Sequence, residues 1–195
     1  MAIKKSKPPI ELSVGGIYIA VDAGGAEFSG EYKPDIHYLE TVKTIHQTDE
    51  YTESPVYASG LIYDVEESVT GSKIETSQIA WPPELLAEMR GDRLEGGLVF
   101  SGDGRSRPYV AIGYVVQLKN GQKDLVWNPK CKLSADDVQH ETKSGTYTER
   151  PMSLNFNAYP YNAEKDIRVT AYHGMEHGYT EETFFAAPVL EASGS

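Results

Sequence analysis

Residues 107–134, RPYVAIGYVVQLKNGQKDLVWNPKCKLS, constrain the fold of this chain more than any other stretch of it. Residues 109–118 are largely apolar on both alternating faces, as expected of a strand buried on both sides. Asn120-Gly121 follows, a pair that accepts positive φ at both central positions of a two-residue hairpin turn. A second strand over residues 123–133 is more polar and carries Trp127. A β-hairpin therefore stands at the heart of the domain.

The 195 residues suffice for one good core and are too few for two full domains. Apolar residues make up 39%, slightly low for a globular protein, which suits a sheet protein with much exposed surface or one that completes its burial in an oligomer. Twenty-nine acidic against 18 basic residues give a net charge of −11, the opposite of the bias that phosphate contacts require. A single cysteine, Cys131, excludes an intramolecular disulfide and suits folding in a reducing compartment. No apolar run has the length to span a bilayer, so no membrane anchor is expected. The N-terminus, MAIKKSKPPIELS, has a basic start but no apolar core of a secretory signal. Lys4, Lys5, Lys7, Pro8 and Pro9 predict an extended arm over residues 1–13.

Ile17, Ile19 and Val21 alternate with Tyr18 and Ala20 in a first strand that stops at Asp22-Ala-Gly-Gly. Residues 26–59, rich in Tyr, Thr, Glu and His, predict a long loop or extended hairpin that packs on a neighbour. Residues 61–69 alternate cleanly, with Leu61, Tyr63, Val65 and Val69 on one face. Thr70-Gly71-Ser72 is expected to turn the chain into a returning strand over 73–80. Residues 81–91, WPPELLAEMRG, predict a helix with proline in its first turn, Leu85, Leu86 and Met89 on one face, and Gly91 as a left-handed cap. Residues 152–158 and 167–171 are two further half-buried strands. The sum is a mainly β fold, a β-sandwich or partial barrel of about eight strands with one short flanking helix. It occupies residues 14–175, and an apolar C-terminal arm, 176–195, follows it.

The order of these elements, with PYVAIGY and the alternating strand, strand and Leu-Leu helix block of residues 61–91, resembles the major tail proteins of long non-contractile-tailed bacteriophages, the subunits of the tail tube. The likeness covers roughly residues 14–173. It implies a β-sandwich whose copies form six-membered rings, stacked into a hollow tube around a tape-measure protein. Tail terminator and distal tail proteins are the other implied partners. Double-stranded DNA passes through the lumen without specific binding. The implied location is the virion tail, assembled in the host bacterial cytoplasm, with no catalytic residue, metal or cofactor. Six copies at −11 carry about −66, and an acidic lumen keeps DNA sliding. Asp64, Glu66 and Glu75, on the polar face of the 61–80 hairpin, are the candidate lumen residues.

Other readings stand beside this one. The sequence HGMEH, residues 173–177, matches the H-x-x-E-H pattern of a class of zinc proteases, which needs a helix to bring both imidazoles to one face. Gly174 and Gly178 and the preceding strand pattern favour a loop instead. SGDGRSR, residues 101–107, suggests a phosphate cradle, but Pro108 opens a strand where a helix N-terminus is needed. Thirteen tyrosines make a monomeric carbohydrate-binding or adhesion sandwich conceivable. A terminator or neck ring that never polymerises is the remaining alternative.

Overall fold

A computed structural model describes residues 9–58, 61–102, 106–136 and 151–191; the side chains at 56–58, 61, 62, 64, 66, 135 and 136 also lie outside the description. Ten strands and two helices follow in order: β1 (Glu11–Asp22), β2 (Tyr32–Leu39), β3 (Val42–Ala58), β4 (Leu61–Gln78), α1 (Pro83–Arg90), β5 (Arg93–Glu95), β6 (Leu98–Phe100), β7 (Val110–Leu118), β8 (Lys123–Asp136), β9 (Met152–Ala158), β10 (Val169–Ala171) and α2 (Glu181–Phe184). The mainly β expectation holds. Eight strands form one antiparallel sheet in the order β2-β1-β7-β8-β9-β4-β3, with β10 beside the first half of β8, and β5 and β6 form a separate hairpin.

The sheet rolls without closing into a barrel. Its two end strands, β2 and β3, are consecutive in the chain and joined only by Glu40 and Thr41. Across the hollow of the roll, Gln47 of β3 accepts a hydrogen bond from the Tyr114 hydroxyl of β7 at 3.0 Å and donates to Asn128 Oδ1 of β8 at 2.9 Å. The concave face carries Ile17, Ile19, Val110, Ile112, Leu154 and Phe156, and α1 packs Leu85 and Met89 against them. Gly91 caps α1 in the left-handed conformation (φ 74°), as its position in the sequence predicts.

The opposite face of β1, β7 and β8 is buried as well, which is why residues 110–118 are apolar in both parities. Ala20, Ala111, Val115, Leu125 and Trp127 form a second cluster there, roofed by Phe184 and Phe185 of the C-terminal segment. The apolar tail thus docks on its own chain. Thr180 caps α2 in a capping box with Thr183, and the Trp127 indole donates to the Phe184 carbonyl at 2.9 Å. The Phe185 ring stacks on Tyr18 with centroids 3.9 Å apart.

Three local expectations are corrected. The central hairpin turns through three residues rather than two. Leu118 N–H donates to Gln122 O, and Gly121 alone takes positive φ (79°), so a type I turn ends in a glycine bulge. Thr70-Gly71-Ser72 is not a turn, because β4 runs straight through it. Thr70 is instead an extra residue in a bulge, where Glu50 pairs with Gly71 and Tyr51 with Val69. The true partner of β4 is β3, so the region expected as a loop or extended hairpin supplies β2 and one arm of a long hairpin. The Gly96-Gly97 turn of β5–β6, with φ of 60° and 79°, and the one-turn α2 are additions to the elements predicted.

Candidate assembly surfaces

The β3–β4 hairpin outruns the sheet. The ladder between β4 and β9 covers only Ser72 to Gln78, and β3 lies at the end of the strand order. Among the described residues, 51–58 and 61–69 therefore pair only with one another in the ladder, as a two-stranded ribbon about 25 Å long. At its base, Arg168 beside β10 reaches Asp49 at 3.2 Å.

The register assigns the ribbon two different faces. Directly opposed residues share a face in an antiparallel pair, so Tyr51 and Val69, Glu53 and Glu67, and Pro55 and Val65 stand together. This side continues the concave face of the roll, since Gln47 pairs with the core residue Ile74 two steps earlier. It is apolar and aromatic yet exposed: Tyr51 is 62% accessible and Tyr63 80%. Within it, two like charges, Glu53 and Glu67, face each other directly, an unfavourable cross-strand pair in isolation.

The other face takes up the candidate lumen residues. Glu75 is exposed and pairs with His46 on one side and Asn155 on the other. Positions 64 and 66 pair with Val56 and Ser54, and the extra residue at Thr70 brings 64, 66 and 75 to the same side of the hairpin. The side chains of Asp64 and Glu66 lie outside the described residues. Below the bulge this side is a polar field of Thr44, His46, Thr48, Lys73, Glu75, Ser153 and Asn155.

The β5–β6 hairpin is a second exposed apolar element, with Leu94, Leu98, Val99 and Phe100 all open to solvent. Sequence inspection passed over it, although Gly96-Gly97 between short apolar runs is a hairpin signal. The ribbon's exposed face was legible only in part, as Tyr63, Val65 and Val69; its other half, Tyr51 and Pro55, needs the register with β3.

The candidate chemical motifs separate into ordinary contacts. His173 Nδ1 lies 2.7 Å from Asp124 Oδ1, which also accepts the His173 backbone N–H at 2.8 Å. His177 Nδ1 accepts the Tyr179 N–H at 3.1 Å. The two rings thus face separate partners, and among the described residues no group of three His, Cys, Asp or Glu is placed to hold a metal ion. In the 101–107 loop, Ser101 Oγ donates to Asp92, and Arg107 donates to the carbonyls of Leu133 and Ser134. Residues 103–105 lie outside the described residues.

No family model matches the chain, and no curated protein matches it. Among solved structures it is similar to a chain in the six-fold symmetrised cryo-EM structure of the anti-feeding prophage (AFP) baseplate. That likeness has a TM-score of 0.43 and 8% identity, over 88% of this chain and 100% of that one.

Proposed function

We propose that this protein is a structural subunit of a phage tail tube, which self-assembles as stacked six-membered rings and performs no catalysis. One observation carries the reading: a well-packed domain projects a ribbon that it does not bury. A two-stranded ribbon is marginal in water on its own and gains stability when a third surface covers it. An exposed apolar face of this length is a burial site for another molecule. The β5–β6 hairpin gives a second such surface on the same domain. Two different exposed surfaces on one chain suit heterologous contacts, which close into rings or continue as stacks. The order of sequence elements supports the tail-tube assignment in particular.

In this reading the polar side of β4, with Asp64, Glu66 and Glu75, lines the lumen. Carboxylates there repel the phosphates of passing DNA, the Asn, Ser and Thr around them are neutral, and Lys73 of this field is paired with Glu50. The tape-measure, terminator and distal tail proteins are the partners of the assembled tube. Sedimentation velocity over a wide concentration range tests the reading. Concentration-dependent growth through a ring-sized species is the expected result, and a strict monomer at every concentration would contradict it.

A further inference from the structure

We infer that the exposed concave side of the β3–β4 ribbon receives the N-terminal arm, residues 1–8, of the neighbouring copy in the same ring. The inference rests on the self-assembly reading and names the contact that joins lateral neighbours.

Charge identifies the occupant. Residues 49–69 contain no lysine or arginine, and of their six acidic residues the register puts Asp49, Glu53 and Glu67 on the concave side, where Asp49 is held by Arg168 and Glu53 and Glu67 stand opposed. The first ten residues contain Lys4, Lys5 and Lys7 and no acid. Opposed Glu53 and Glu67 raise the energy of the bare ribbon, and a lysine lying between them removes that repulsion. The apolar residues also match. Ile3 and the Pro8-Pro9 pair supply apolar surface to Tyr51, Pro55, Tyr63 and Val69.

Topology places the arm and the ribbon at the same end of the domain. Val110, Cys131, Ala158 and Ser72 lie in one row across β7, β8, β9 and β4. From that row β1 runs back towards Glu11, which pairs with Leu118, and β4 runs back towards Leu61. Those two directions are the same, so the arm leaves the domain at the end from which the ribbon projects. The Lys119 N–H still bonds the Ile10 carbonyl at 2.8 Å, which keeps the chain in line with β1 as far as Ile10. Pro8 and Pro9 disfavour a helical reversal of the chain at that point. All copies in a cyclic ring point the same way, so arm and ribbon meet at one level between neighbours.

Mixed disulfide trapping tests this on the full-length protein. One preparation carries K5C and a second carries E53C; the native Cys131 is fully buried. Mixed, assembled and oxidised, the two are expected to give a cross-linked heterodimer. Assemblies that form normally but give no heterodimer overturn the inference and leave the assembly reading standing. A K5C/E53C double variant that cross-links only within one chain overturns it in favour of the protein's own arm. In parallel, K4E/K5E/K7E is expected to raise the critical concentration for assembly roughly tenfold, and E53K/E67K added to it to restore most of that loss. An unchanged critical concentration in the triple variant overturns the inference. Failure of the unmodified protein to assemble overturns the tail-tube reading itself.

Discussion

Gly113 shows how closely one residue is tied to the fold. A methyl group there would stand 2.7 Å from the Phe185 ring and 2.8 Å from the Trp127 ring. The glycine in PYVAIGY therefore lets the C-terminal aromatic roof lie flat on β7. Gly113→Ala is expected to cost about 1–3 kcal/mol by overpacking, seen as a lower urea midpoint with an unchanged m-value. The neighbouring tyrosines set a pH limit. Burial pushes the Tyr18 and Tyr114 hydroxyls up to about 12, with Glu181 adding to the effect on Tyr18, and burial also raises Tyr32. The unfolded chain ionises these groups near 10, so it loses their protons before the folded chain does. Their contribution to stability is complete below pH about 10 and falls as pH rises towards 12. Urea midpoints measured from pH 8 to 12 should decline across that window, and a rise would contradict the assignment.

At the scale of elements, the sequence displayed what local chemistry decides and hid what pairing decides. Helix α1 was legible because proline, a Leu-Leu-Met face and Gly91 all act within eleven residues. The central hairpin was legible because its strands are apolar in both parities. Thr70-Gly71-Ser72 misled because turn-forming residues also suit a bulge, and only the partner strand distinguishes the two. The extra residue at Thr70 also inverts the alternation along β4. For that reason the sequence could not show that Tyr51 joins Val69 on one face while position 66 joins Glu75 on the other. Truncation after Gly178 removes Phe184 and Phe185 from the second cluster and should cost about 3–6 kcal/mol, read as a lower melting temperature. Replacing residues 52–67 by a short turn removes only the ribbon, so the melting temperature should stay within a few degrees while assembly is lost. A large fall in melting temperature would show that the ribbon serves the fold rather than the contact.

The whole molecule combines a core buried on two faces with apolar hairpins left open, in a chain of net charge −11. In the proposed assembly like-charged subunits repel, and the proposed contact between arm and ribbon attracts through exposed charges, so ionic strength acts on both. Moderate salt relieves the general repulsion, whereas high salt weakens the arm contact, giving an optimum in assembly rather than a steady trend. Turbidity or light scattering across a salt series reads this directly. Cryo-electron microscopy of the purified protein at high concentration tests directly whether it assembles as rings. Hollow six-fold rings are expected, singly or stacked, with the β3–β4 ribbon buried between neighbours and Glu75 facing the lumen. A field of separate particles of single-chain size, with the ribbon exposed at every concentration, would contradict that expectation.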